Sequence, residues 1–165
     1  TDSLLVGFNP NSGGRWNQED SDRLYGYSDQ PGATAQWTQE QLLADAEARI
    51  LSGEIDFSKL LKQKLRTFLG SDDACVGYSA SVLRHTEFFS LLCNGFYYAA
   101  FLLATGGAVQ VWRSRERGLL LLAPLYILGL TLAQMLVEVA GRYHYSMIPM
   151  LLLLGQGTWK RTGEE

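Results

Sequence analysis

Residues 88–112 form the feature that most limits how this chain can fold, because none of these 25 consecutive residues carries a charge. At about 1.5 Å of rise per residue, a helix over this run is roughly 37 Å long. The hydrocarbon core of a bilayer is about 30 Å thick, so the run can cross it with some tilt. The sequence therefore predicts a transmembrane helix over this run.

Two further apolar runs follow, and neither contains a charged side chain. The three runs together predict transmembrane helices at about 88–112, 119–137 and 146–159. The predicted fold class is mainly α: a membrane protein fragment with three transmembrane helices and a small, mostly helical external region on the N-terminal side. We expect a fragment because the chain opens at Thr1 without a signal peptide and yet has external parts.

The first 87 residues carry 13 acidic and 8 basic side chains, whereas residues 88–165 carry 4 and 6. Within this acidic region, apolar side chains recur with helical spacing in two segments. The sequence therefore predicts an external region, residues 1–87, with two amphipathic helices at about 36–52 and 56–69. In the first helix, Thr38 and Gln41 fit a capping box.

The second of these helices is basic, and we expect Asp56 or Ser58 to open it. Its leucines are predicted to lie on one side, with four cations on the other: Lys59, Lys62, Lys64 and Arg66. A basic amphipathic helix of this kind either lies in the lipid headgroup layer or packs on a neighbour with a solvated basic face. The sequence leaves both arrangements open.

The beginning of the chain has weaker signals. Residues 3–8 are apolar and fit either a strand or the end of a helix. Residues 9–32 are rich in Asn, Gly, Pro and Ser, which predicts little regular structure. Residues 71–84 are expected to form a polar linker before the first span.

The distribution of arginine and lysine predicts an orientation. Residues 113–117 contain three arginines, and Lys160 and Arg161 follow the last predicted span. Three spans place these two segments on the same side, and the positive-inside rule assigns that side to the cytoplasm. We therefore predict an integral membrane protein, of the plasma membrane if the source is bacterial. Residues 1–87 would be external and the C-terminus cytoplasmic.

The common catalytic and nucleotide-binding motifs of soluble enzymes are absent from the sequence. With only two histidines and two cysteines, Cys75 and Cys93, we predict no metal site and no structural disulfide. The net charge of −3 disfavours nucleic acid as a partner.

Polar chemistry is concentrated in residues 138–149, EVAGRYHYSMIP, between the second and third predicted spans. We expect a short turn at one membrane surface, because unpaired polar groups are costly in lipid. Glu138 and Arg142 are four residues apart and would form an ion pair on a helix. Arg142 is suited to bind a phosphate in a bidentate fork. Sugar or headgroup contacts are predicted from three residues: Tyr143, His144 and Tyr145. The competing interpretation is an aromatic belt with a snorkelling arginine.

The pattern EVxGRYHYxxxP, followed by a leucine-rich last helix and basic residues, resembles the C-terminal membrane end of bacterial family 39 glycosyltransferases. These are dolichyl-phosphate-mannose-protein-mannosyltransferase-like proteins of glycosyltransferase class C. The earlier stretch GFNPNSGGRWNQED, residues 7–20, is similar to an external segment of such proteins.

The resemblance implies a hexosyltransferase that takes a sugar from a polyprenyl-phosphate carrier and transfers it to an acceptor on the external face. The implied partners are membrane lipid, the lipid-linked donor and the upstream remainder of the same polypeptide; no other cofactor is implied. In this family the catalytic acid lies in an early external loop. No part of this chain matches that loop, so the catalytic residue stays unknown. Asp20 and Glu138 are not assigned to that role.

A second hypothesis does not need an enzyme. Small residues recur at four-residue spacing along residues 88–112, and such spacing lets another helix approach closely. The chain would then be a membrane subunit whose external region binds a partner.

Overall fold

The structure, a computed structural model, describes residues 2–114 and 121–159. Within these ranges the chain is helical and contains no β-strand, so the predicted mainly α class is confirmed. The described helices are α1 (Asp2–Gly7), α2 (Gln18–Ser28), α3 (Ala35–Leu51), α4 (Phe57–Leu69), α5 (Ala74–Tyr78), α6 (Thr86–Ser114), α7 (Leu122–Leu136) and α8 (Ile148–Trp159), with a 3₁₀ helix at Gly141–Met147.

The chain divides into two compact units. The first unit is Thr1–Phe68 with Leu132–Ala140, and the second is Leu69–Thr131 with Gly141–Glu165. This division does not coincide with the boundary at residue 87 that composition suggested. The continuous part of the first unit ends at Phe68, before residue 87. The unit also includes Leu132–Ala140, which begins in the second half of α7.

Helices α3 and α4 lie where helical periodicity predicted them, but α3 begins earlier than expected. Its N-cap is Thr34, whose hydroxyl oxygen accepts a hydrogen bond from the Trp37 N–H at 3.2 Å. Thr38, the predicted cap, is buried inside the helix. Asp56 does open α4, because its carboxylate accepts from the Lys59 N–H at 3.0 Å.

Helix α2 lies in the stretch for which little regular structure was predicted. Asn17 is its N-cap, and the side-chain oxygen of Asn17 accepts from the Asp20 N–H at 2.9 Å. Two acidic residues in the first turn, one of them Asp20, also favour a helix start, because they complement the positive end of the helix dipole. Helices α1, α2 and α3 then enclose a small core formed by Leu5, Leu42 and Ala46.

In the second unit, α6 and α8 pack closely. A Cβ atom at Gly107 would collide with the backbone of Leu154, so only glycine permits this approach. The core between these helices also contains Tyr97, Ala100 and Ala104. Part of the small-residue spacing of α6 is therefore used within the chain itself.

One described helix is long and apolar enough to cross a membrane, the segment Thr86–Arg113. Helix α7 has 15 residues and α8 has 12, both shorter than the roughly 20 residues that a spanning helix requires. The prediction of three transmembrane helices is thus supported for one helix among the described residues. Large apolar side chains of α6 face outward, including Leu91, Leu102 and Trp112.

Candidate functional site

The 3₁₀ helix of the second unit carries four of the five residues predicted to form a site. Helix α7 ends at Leu136, and residues 138–140 are irregular before the 3₁₀ helix begins. Glu138 therefore has no helical four-residue relation to Arg142, and the predicted helix-surface ion pair is wrong. Glu138 belongs to the first unit, where its N–H donates to the Ser3 carbonyl at 2.7 Å.

Arg142 is exposed and held by two tyrosines. One of its terminal nitrogens donates to the Tyr78 hydroxyl at 2.5 Å. The guanidinium carbon lies 5.3 Å from the ring centre of Tyr143 and 5.8 Å from that of Tyr78, which are cation–π distances. Among the residues that the structure describes, no carboxylate pairs with Arg142. The guanidinium is thus oriented and still able to bind an anion.

His144 is in the core of the second unit. Its side chain is fully buried, with Nε2 3.1 Å from a carboxylate oxygen of Asp72. The imidazole ring also packs on the Tyr97 ring, with 4.8 Å between centres. In this conformation the ring faces Asp72 and Tyr97 and not the surface, and the sugar or phosphate contact predicted for His144 stays a prediction.

Asp72 connects this histidine to α6. The Asp72 N–H donates to the side-chain oxygen of Asn94 at 2.7 Å, and the Asn94 amide donates to Asp73 at 3.3 Å. The hydrogen bonds tie the segment before α5 to both α6 and the 3₁₀ helix. Hydrogen bonds in such a network favour one arrangement of the elements that they join.

Tyr145 has a structural role that the sequence did not reveal. Its hydroxyl oxygen accepts from the Cys75 N–H at 3.1 Å, which fastens α5 to the 3₁₀ helix. Burial, with a further contribution from Cys75, raises the pKa of Tyr145 to about 12, so the hydroxyl stays protonated at neutral pH. Both cysteines, Cys75 and Cys93, are free thiols.

Tyr78 is the site residue that sequence analysis missed. It lies at the end of α5, within the segment expected to be a polar linker, and its side chain is 71% exposed. No periodicity or motif marks it. Its only sequence signal is that it is an aromatic residue in a polar stretch, which does not indicate a partner 64 residues away.

The GFNPNSGGRWNQED stretch supplies a buried ionic network in the first unit. Asp20 makes a bidentate pair with Arg49, at 2.7 and 3.1 Å, and accepts from the amides of Asn9 and Asn17 at 2.8 Å each. Burial raises the pKa of Asp20, but the hydrogen bonds from Arg49, Asn17 and Asn9 outweigh burial, so the pKa is lowered. Asp20 therefore has the environment of a structural carboxylate.

Lys64 is the largest departure from the predicted side-chain pattern. It was expected on the solvated basic side of α4, yet it is completely buried. Its Nζ donates to the carbonyl oxygens of Gly7 at 3.0 Å and Met135 at 2.8 Å, near the C-terminal ends of α1 and α7. A cation at these ends complements the helix dipoles. Burial lowers the pKa of Lys64 to about 8.

A glycine makes room for this lysine. Gly14 has a φ of +75°, and a Cβ there would lie 2.9 Å from both the Lys64 side chain and the Gly7 carbonyl oxygen. The Gly14 carbonyl accepts from the Val139 N–H at 2.9 Å. This hydrogen bond joins the Asn- and Gly-rich stretch to the segment that follows α7.

The described residues contain no cluster of three or more potential metal ligands. Comparisons with protein-family models, curated proteins and solved structures give no match. The assignment to family 39 glycosyltransferases therefore stays a prediction, carried by the residues of the two motifs.

Proposed function

We propose that this chain is the C-terminal part of an integral membrane glycosyltransferase. The enzyme transfers a sugar from a polyprenyl-phosphate-linked donor to an acceptor on the external face. The proposal is supported by the EVAGRYHYSMIP motif and by a helix, α6, that is long enough to cross a membrane. The catalytic acid belongs to the upstream remainder of the polypeptide.

Arg142 is the observation that carries the proposal. A guanidinium binds phosphate through paired N–H donors, and its charge does not depend on pH in the physiological range. Tyr78 and Tyr143 orient this group while leaving it exposed. In the proposed enzyme Arg142 binds the phosphate of the lipid carrier, and the tyrosine rings contact the carrier or its sugar. His144 and Tyr145 hold the 3₁₀ helix in place.

The proposed topology keeps α6 as a membrane span and adds α7 and α8 as two further, shorter crossings, around which the bilayer is locally thinner. The exposed apolar side chains on α6 and α7 support this arrangement, because they would otherwise face water: Leu91, Leu102, Leu125 and Leu128. Residues 1–87 and Arg142 are external, and the C-terminus is cytoplasmic, in the plasma membrane if the source is bacterial.

The test is binding of a polyprenyl phosphate to the chain in lipid nanodiscs. We expect saturable binding that weakens about tenfold or more in Arg142→Ala, because charge-assisted hydrogen bonds contribute about 1.5–3 kcal/mol. Arg142→Lys should restore only part of the affinity, since lysine lacks the planar fork. Arg113→Ala is the matched control, because Arg113 is an exposed arginine of the same unit. Equal loss in both alanine variants would show general attraction to anionic lipid.

The alternative, a non-enzymatic membrane subunit, is favoured by one observation. Gly95 on α6 has no atom within 4 Å of the position that a Cβ would occupy, and Ala99 is exposed beside it. This part of the small-residue spacing is open to another helix. Sugar transfer by the complete polypeptide separates the two functions, since a subunit without catalytic groups has none.

A further inference from the structure

Two neighbouring cavities lie in the first unit, where α2 ends and α3 begins. Their volumes are about 470 Å³ and about 230 Å³, and Ala33 lines both. The larger cavity alone is within the range of small-molecule sites, about 300–1,000 Å³. We propose that this groove binds a neutral oligosaccharide. In the proposed enzyme it holds the acceptor glycan, and only that role rests on the proposed function.

The lining of the groove combines apolar residues with uncharged hydrogen-bonding ones. Three hydroxyl-bearing and two amide-bearing residues line it: Ser28, Thr34, Thr38, Gln30 and Gln39. Hydroxyls and amides each donate and accept, as the hydroxyl groups of a sugar require. Among the described residues, the one charged lining side chain is the carboxylate of Asp2, and no cationic side chain lines either cavity. This charge pattern disfavours a phosphate-bearing ligand such as a nucleotide.

Trp37 gives the smaller cavity an aromatic wall with a fixed orientation. The Tyr27 ring packs on the indole in a T-shaped arrangement, with 6.1 Å between ring centres and an angle of 89°. Tyr27 is itself anchored, because its hydroxyl donates to a carboxylate oxygen of Asp45 at 2.8 Å. This hydrogen bond raises the pKa of Tyr27, so the hydroxyl remains a donor.

A rigid indole beside an amide is the pairing that recognises a pyranose ring. One face of the sugar presents C–H groups that stack on the negative face of the indole, and hydroxyls at the rim reach hydrogen-bonding partners. Gln30 supplies an amide next to Trp37, and Pro31 and Gly32 complete the wall. A second sugar ring extends past Ala33 towards the hydroxyls of the larger cavity.

The experiment measures binding of neutral disaccharides to the whole chain in lipid nanodiscs. Sugar-headed detergents are avoided because they would compete. The probes are mannobiose, maltose, cellobiose and diacetylchitobiose, studied by saturation-transfer NMR and calorimetry. We expect at least one to bind saturably, with at least about tenfold weaker binding in Trp37→Ala, which is the effect of losing about 1.4 kcal/mol. Trp37→Phe should retain part of the affinity, because an aromatic face remains.

Trp16→Ala is the matched control, since Trp16 is a tryptophan of the same unit with 60% exposure and lies outside the groove. Circular dichroism verifies that each variant is folded, and Trp37→Phe tests the site if Trp37→Ala does not fold. The proposal is overturned if no probe binds saturably, if Trp16→Ala weakens binding as much as Trp37→Ala, or if adenosine monophosphate displaces the sugar. The disaccharide experiment contains no lipid-linked donor. A disaccharide can therefore bind even if polyprenyl phosphate does not bind at Arg142, so the two proposals can fail separately.

Discussion

Lys64 allows a sharp test of the electrostatics of the first unit. Its side chain is fully buried, and its pKa of about 8 lies well below the usual value near 10.4. Two carbonyl oxygens accept from Nζ, which matches the two N–H groups of a neutral amine. No third acceptor for the ammonium form is present among the described residues. Burying the ammonium form without a third acceptor costs free energy, and the Phe8 ring, 5.5 Å from Nζ, offsets only part of that cost.

The folded pKa is lower than the unfolded pKa, so the unfolded chain binds more protons between about pH 8 and pH 10.4. Stability must therefore rise with pH in this window. At 1.36 kcal/mol per pKa unit, Lys64 contributes a gain of about 3 kcal/mol. In Lys64→Met this gain disappears, whereas near pH 7 the variant loses two hydrogen bonds but also avoids burying a charge. The difference between wild type and variant should thus be small at pH 7 and about 3 kcal/mol larger at pH 10.5.

The assay is denaturant unfolding followed by tryptophan fluorescence in a background of Trp112→Phe and Trp159→Phe. The remaining tryptophans, Trp16 and Trp37, then report on the first unit alone. Lys62→Met, an exposed lysine of the same helix, controls for general effects of charge. A stability difference between wild type and Lys64→Met that stays constant or shrinks from pH 7 to pH 10.5 would show that the folded state does not lower the pKa of Lys64.

Three further predictions concern the packing of each unit. Asp20→Asn leaves the Arg49 guanidinium without its charge partner and should cost about 3 kcal/mol in the same fluorescence assay. Because the pKa of Asp20 is lowered, its contribution is present above pH 4 and lost as the pH falls further. Gly107→Ala should lower the thermal midpoint by several degrees, since its methyl group collides with the Leu154 backbone. His144→Ala should leave a buried cavity and destabilise the second unit by about 2–4 kcal/mol. Trp112 fluorescence measures this effect in a background of Trp16→Phe, Trp37→Phe and Trp159→Phe. An unchanged unfolding midpoint in Gly107→Ala or His144→Ala would contradict the packing described for the second unit.

Local signals in the sequence predicted the helices with strong periodicity or long apolar runs. Helices α3, α4 and α6 lie where such patterns indicated them. Helix α2 was missed because it is short and mostly polar, and it depends on the Asn17 cap and on the packing of Leu24 and Tyr27 against the core of the first unit.

The sequence also contained a pattern that predicts the burial of Lys64. Leu60, Lys64 and Phe68 are spaced by four residues and share one helix face, which the structure buries. Its charge alone suggested that Lys64 lies on the opposite, solvent-exposed face of α4. What the sequence could not supply is the pair of distant carbonyl groups that make burial of this lysine tolerable.

For the candidate site, the sequence singled out Arg142 but not the residues that surround it. Arg142 is exposed, as a ligand-binding residue requires, but its support from Tyr78 spans 64 residues and has no sequence signature. His144 looked like a ligand contact because it lies among tyrosines. Its partner Asp72 is 72 residues away, and only the fold brings them together.

The most direct measurement of the proposed function is sugar transfer by the complete polypeptide in membrane vesicles, with a labelled polyprenyl-phosphate sugar as the donor. We predict transfer that falls about tenfold or more in Arg142→Ala and is unchanged in Arg113→Ala. Transfer that is undiminished in Arg142→Ala, or absent from the wild-type polypeptide with every donor sugar, would contradict this prediction.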